Sequence, residues 1–197
     1  MKKLNKYSLL SLVDKKLTEI YNKEKKTINY RFGRAVNGWI SDLEYDQSQD
    51  VNLVEIYTTL NEKGTCGLRQ LGRLRFGYNG LGFNITPSKV GLQSKASLLT
   101  KGSDCTSDHI LGVTPVGWEI HKVILKLKGN GFSKQSIVKY MIDEWLVNHL
   151  HYWVQAKITK LEHKADNLAR DKHSLEDKLN LVHYDEGNIQ LLNNQYR

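Results

Sequence analysis

The stretch from Lys63 to Lys101 constrains the chain most. It carries seven basic residues, Lys63, Arg69, Arg73, Arg75, Lys89, Lys95 and Lys101, and no Asp or Glu. It also holds Gly64, Gly67, Gly72, Gly77, Gly80, Gly82 and Gly91, a density of unrestricted backbone that excludes one long helix and calls for turns and close backbone approach. The chain must therefore be assembled from shorter elements around a strongly positive segment. Arg69, Arg73 and Arg75 beside Phe76 and Tyr78 suit phosphate contact, and Asn79-Gly80 reads as a turn.

The whole chain leans the same way. Lys and Arg outnumber Asp and Glu 29 to 21, a formal charge of +8, which favours a polyanionic partner. With 40% hydrophobic residues in 197, a real core can be buried. No apolar stretch approaches the ~18 residues that cross a bilayer. The Met1-Lys2-Lys3 start is followed by an apolar piece broken at Asp14, Lys15 and Lys16, without a small-residue cleavage site. The expectation is an intracellular, cytoplasmic protein with no membrane partner. Cys66 and Cys105 are the only cysteines, so neither a disulfide framework nor a thiolate zinc site is available. Any metal has to be held by carboxylates, imidazoles and amides.

Periodicity supplies the elements. Leu9, Leu10, Leu12, Val13, Leu17, Ile20 and Tyr21 space an amphipathic helix over Leu4 to about Lys25, and helices are expected from Thr27 to Leu60. Ala96 to Leu99, a turn at Lys101 to Asp104, and Cys105 to Val113 read as a β-hairpin closed by Pro115. Trp118, Ile120, Val123, Ile124 and Leu127 space a helix ended by Gly129-Asn130-Gly131. Ser133 caps another, with a broad apolar stripe running to Val154. Thr159-Lys160-Leu161-Glu162 is a capping box that starts a further helix, Ser174 starts a weaker one, and the tail from Asp185 is polar and adaptable. The expected fold class is α+β and mainly helical. Its regions are a helical part over 1–62, a basic Gly-rich part over 63–95, a core over 96–184 with inserted helices, and a tail over 185–197.

The chemistry concentrates at Thr106-Ser107-Asp108-His109-Ile110-Leu111. Neighbouring strand residues point to opposite faces, so Asp108 and His109 serve one site only where the strand ends or kinks, as Gly112 and Pro115 allow. A carboxylate on a divalent ion and a neutral imidazole that takes a proton from water is the equipment for phosphodiester hydrolysis. A lone Asp-His dipeptide is common; His163 lies in the first turn of the capped helix.

From Ala96 to His173 these residues resemble the HNH, or His-Me finger, nuclease family, and within it the small phage-type enzymes that include homing endonucleases. In that family a β-hairpin carries an Asp-His pair and the following helix supplies a metal ligand, often Asn in a Thr-x-x-Glu-Asn setting. Thr159-Lys160-Leu161-Glu162-His163 looks like that setting with His in the Asn position. The resemblance implies a ββα-metal motif binding one Mg²⁺ or Mn²⁺. It implies His109 as general base, Asp108 and His163 as ligands, and His173 as the third, with Asn167 in reserve one turn beyond His163. It also implies double-stranded DNA as substrate, and the basic run is where the duplex is expected to be held, through Arg69, Arg73, Arg75, Lys89, Lys95 and Lys101. The chain departs from the family in lacking cysteine pairs, in the long interval from His109 to His163, and in the missing Asn.

Other templates fail: there is no Gly-x-x-x-x-Gly-Lys-Ser/Thr, Gly-x-Gly-x-x-Gly, His-Glu-x-x-His or Gly-x-Ser-x-Gly pattern. His149 and His151 flank Leu150 and cannot share a helix face. His121 reads as a solvated helix residue, and His183 beside Tyr184 as packing or a nucleic-acid contact. Two other classes stay open, a non-catalytic DNA- or RNA-binding regulator and a virion or scaffold component contacting a nucleoprotein. Whether the protein acts as a homodimer is also open.

Overall fold

The computed structural model describes residues 8–48, 85–170 and 172–193. Arg69, Arg73 and Arg75, with most of the Gly-rich segment, lie outside the described residues. The protein is α+β: mainly helical, with one small mixed sheet among the described residues. In chain order the elements are α1 (Leu9–Ser48), the single turn α2 (Pro87–Val90), β1 (Leu92–Ser94), α3 (Lys95–Leu99), β2 (Cys105–His109), α4 (Val113–Gly129), α5 (Lys134–Tyr140), β3 (Gln155–Thr159), α6 (Lys160–Arg170), α7 (Leu175–Leu179), α8 (Val182–Glu186) and β4 (Leu191–Asn193). A π-helical turn, Met141–Leu146, prolongs α5, and 3-10 turns occupy Gly102–Asp104 and Leu150–Trp153.

The chain divides into two compact units. The first comprises Met1–Lys25, Asn84–Gly112 and His149–Arg197. It contains the sheet, ordered β2-β3-β1-β4. β3 runs antiparallel to β2 and parallel to β1, and β4 is antiparallel to β1. The β2–β3 register sets Cys105 against Thr159, Ser107 against Lys157, Asp108 against Ala156 and His109 against Gln155. Leu92, Ala156 and Ile158 from the strands, with Ile85, Ile110, Trp153, Leu181, Tyr184 and Ile189, are fully or almost fully buried.

The second unit comprises Lys26–Phe83 and Val113–Asn148, so one of its two pieces is inserted in the chain between β2 and β3. Ile28, Phe32, Val36, Trp39, Ile40 and Leu43 of α1 are buried at helical intervals. Phe32 stacks on Trp145 at 6.1 Å, and Trp39 on His121 at 5.9 Å. Gly33 allows a close approach here: a Cβ at this position would stand 2.7 Å from Ile142 Cδ1.

Five expectations need correction. The stretch Ala96–Leu99 is not a strand but lies in the short helix α3, because Ser94 Oγ accepts the Ser97 N–H at 3.1 Å and Ser97 Oγ donates back to the Ser94 carbonyl at 2.8 Å. These bonds close a helical turn in place of a hairpin arm. The partner of β2 is therefore β3, far along the chain. β2 also ends at His109, where the Gly112 N–H bonds the His109 carbonyl at 2.8 Å with Gly112 at φ 75°. Pro115 then falls in the first turn of α4, where its missing N–H costs nothing. The Ser133 helix, capped by Ser133 Oγ at 3.2 Å, does not run to Val154; the apolar stripe covers a change to 3-10 turn and strand. The expected adaptable tail supplies β4, paired to β1 through Leu191, Leu192 and Asn193. His121 is buried rather than solvated.

Candidate active site

Thr159 is both the last residue of β3 and the cap of α6. Its Oγ1 accepts the Glu162 N–H at 3.1 Å, and the Glu162 carboxylate accepts the Thr159 N–H at 2.8 Å. Ser94 of β1 donates its hydroxyl to the same carboxylate at 2.6 Å. The first turn of α6 is thereby tied to two strands, and α6 contacts both β2 and β3. This turn carries His163, whose Nδ1 lies 3.1 Å from Asp108 Oδ1.

Asp108 is almost wholly buried, at 1% exposure. Its other oxygen, Oδ2, accepts the Tyr184 hydroxyl proton at 2.6 Å. Next to Tyr184 on α8, His183 donates from Nε2 to the Ile110 carbonyl at 3.0 Å, and the same nitrogen lies 3.5 Å from Asp166 Oδ1, both side chains fully buried. Asp166 stands three residues after His163, on the same face of α6. Two adjacent residues of α8 and two residues of α6 thus grip the end of β2.

The strand alternation assigns His109 to the face opposite Asp108. There it meets its cross-strand partner: the side-chain carboxamide of buried Gln155 lies 2.6 Å from His109 Nε2. Because His109 is the last residue of β2 and the backbone turns immediately after it, its half-buried ring occupies the strand end. Which proton-bearing group Gln155 presents decides which ring nitrogen of a neutral imidazole holds the proton.

His173 goes elsewhere. Its Nε2 is 3.0 Å from Glu186 Oε2 and its Nδ1 4.0 Å from Asp177 Oδ2, and the Asp177 carboxyl is held below its usual range mainly by hydrogen bonds from Ser174, with a smaller contribution from His173. Among the described residues no three His, Cys, Asp or Glu side chains gather to hold an ion. The third ligand suggested by the resemblance does not join Asp108 and His163. Lys89 is paired with Glu24 at 2.9 Å, while Lys95 and Lys101 are exposed.

Compared with family models, curated proteins and solved structures, the chain matches none. Tyr184, Gln155, Asp166 and His183 are the site residues that sequence reasoning missed as a group. Gln155 was reachable only through the β2–β3 register, and Tyr184 only through the fold, since no local spacing relates it to Asp108.

The donor set is compatible with a divalent cation. Two donors about 2.1 Å from an ion on adjacent octahedral vertices are separated by about 3.0 Å, and Asp108 Oδ1 and His163 Nδ1 are 3.1 Å apart. One carboxylate oxygen and one imidazole nitrogen are two of the donors that a divalent ion such as Mn²⁺ would need, the rest of its shell falling to water and substrate. The Tyr184 bond to the remaining oxygen is the kind of outer contact that fixes a ligating carboxylate.

Proposed function

We propose that the protein is a metal-dependent endonuclease that hydrolyses phosphodiester bonds in double-stranded DNA, with a ββα arrangement formed by β2, β3 and α6. The observation that carries this reading is the Asp108–His163 approach at 3.1 Å, made by a carboxylate and an imidazole that lie far apart in sequence. Asp108 and His163 would hold the ion. The ion, when bound, neutralises charge developing on the phosphate and on the leaving oxygen. His109 accepts the proton of the attacking water, at the ring nitrogen turned away from Gln155, as the new P–O bond forms, and the bond to the leaving oxygen breaks, that oxygen taking a proton from solvent. Gln155 orients the ring by accepting the Nε2–H through its carboxamide oxygen. The positive balance of the chain supplies salt-sensitive attraction to the duplex.

A second reading follows from the gathering of only two donors: a non-catalytic nucleic-acid-binding protein in which Asp108 and His163 form a buried structural pair. Incubation with supercoiled plasmid and Mg²⁺ or Mn²⁺ separates the two. The endonuclease reading expects nicked or linear plasmid from the wild type, none in EDTA, and a loss of at least about 100-fold in His109→Ala with duplex binding retained. Intact plasmid under every metal condition, together with a clear band shift, selects the binding protein.

A further inference from the structure

The Asp108–His163 pair has one open side. Asp108 is sealed at 1% side-chain exposure, whereas the His163 side chain is 36% exposed. Solvent therefore meets this pair at the imidazole rather than at the carboxylate. On a helix at about 100° per residue, Lys160 lies about 60° and Lys164 about 100° around from His163, both on the same side. The other flank turns inward through Asp166, which is fully buried. Lys160 and Lys164 are exposed and are neighbours one turn apart.

Their charges are uncommitted. Lys122 is neutralised by Glu119 at 2.5 Å and Lys139 by Asp143 at 2.5 Å, but neither Lys160 nor Lys164 meets a carboxylate among the described residues. The start of α6 itself is a poor anion receptor. The Glu162 amide is already bonded to Thr159 Oγ1 and the Glu162 carboxylate occupies the helix end. Attraction at this edge comes from the two ammonium groups.

We propose that Lys160 and Lys164 form a two-point grip for consecutive phosphates of a duplex backbone, holding the strand across the open edge of His163. This rests on the endonuclease reading for its substrate, and it adds a surface distinct from the basic segment Lys63 to Lys101. Two ammonium groups side by side along one flank of an imidazole edge fit a linear polyanion, and each neutralised phosphate releases counterions on binding.

The test is the salt dependence of binding to a fluorescein-labelled DNA duplex, followed by anisotropy over a KCl series in EDTA so that cleavage does not intervene. A plot of log affinity against log salt should become shallower by about 1.8 in the Lys160→Gln/Lys164→Gln double variant, about 0.9 per lost phosphate contact. Lys122→Gln/Lys139→Gln should keep the wild-type slope. Circular dichroism checks that each variant is folded, and Lys160→Ala/Lys164→Ala repeats the measurement should the Gln pair perturb α6. A wild-type slope in both α6 variants overturns the grip, and plasmid cleavage by the same preparation then leaves the endonuclease reading standing. A wild type that neither binds nor cleaves the duplex overturns both.

Discussion

Both oxygens of Asp108 are committed, one to the Tyr184 hydroxyl at 2.6 Å and one facing His163 at 3.1 Å. In a site this dry the loss of either partner strands an acceptor away from water, and that desolvation costs more than an ordinary hydrogen bond contributes. Tyr184→Phe removes one oxygen atom and no packing volume of consequence, so it isolates the polar term. We expect it to destabilise the protein by about 1–3 kcal/mol in a urea melt, whereas Tyr140→Phe at an exposed position should change stability by less than about 0.5 kcal/mol. Equal midpoints for Tyr184→Phe and the wild type would mean that the bond contributes nothing. His109 meets the carboxamide of Gln155, the contact to which the endonuclease reading assigns the orientation of its ring.

Helix ends were the most legible elements. Thr159 with Glu162 and Ser174 with Asp177 form reciprocal caps in the structure, because a cap is decided by residues within one turn and owes little to the rest of the fold. Strand pairing was the least legible. The apolar stretch through Trp153, Val154 and Ile158 satisfies a helical stripe and a buried strand equally well, and what decides for the strand is pairing with β2 and β1, contacts that no local window contains. The short turn α3 misled for the opposite reason: Leu98 and Leu99 suggest a hairpin arm, but Ser94 and Ser97 close a helical turn with side-chain bonds. At the site, Asp108 and His109 could be singled out from residue type, and His163 only through the family resemblance. Gln155 and Tyr184 could not, since each reaches its partner through register or tertiary folding.

At the scale of the molecule, the residues Val113–Asn148 separate β2 from β3 in sequence and belong to a different compact unit. The entropy of closing a loop grows only slowly with its length, so β2 and β3 pair in full register despite the insertion. Each unit also carries a histidine that burial holds neutral. The His121 pKa is lowered to about 4 by burial alone, and that of His151 to about 4 by burial and then by the neighbouring His149. From the ordinary value of 6.5 downward the unfolded chain takes up these protons while the folded chain refuses them until about pH 4. Their stabilising contribution is therefore complete above about pH 6.5, is lost as pH falls toward 4, and changes no further below that. Each shift corresponds to on the order of 3 kcal/mol. Melting temperatures measured from pH 7 to pH 4 should fall steeply, and His121→Leu/His151→Gln should flatten the profile; an unchanged slope in the double variant would remove these histidines as its cause.

In the endonuclease reading, Asp108 and His163 bind one cation together. The direct measurement is a Mn²⁺ titration of ¹⁵N-histidine-labelled protein followed by NMR, in which paramagnetic broadening reports proximity to the ion. The imidazole resonances of His163, and next those of His109, should broaden at substoichiometric Mn²⁺ while those of His121 and His173 persist, and Asp108→Asn should abolish the selective loss. Uniform broadening of all histidines, or selective loss at His173 with His163 untouched, would contradict it.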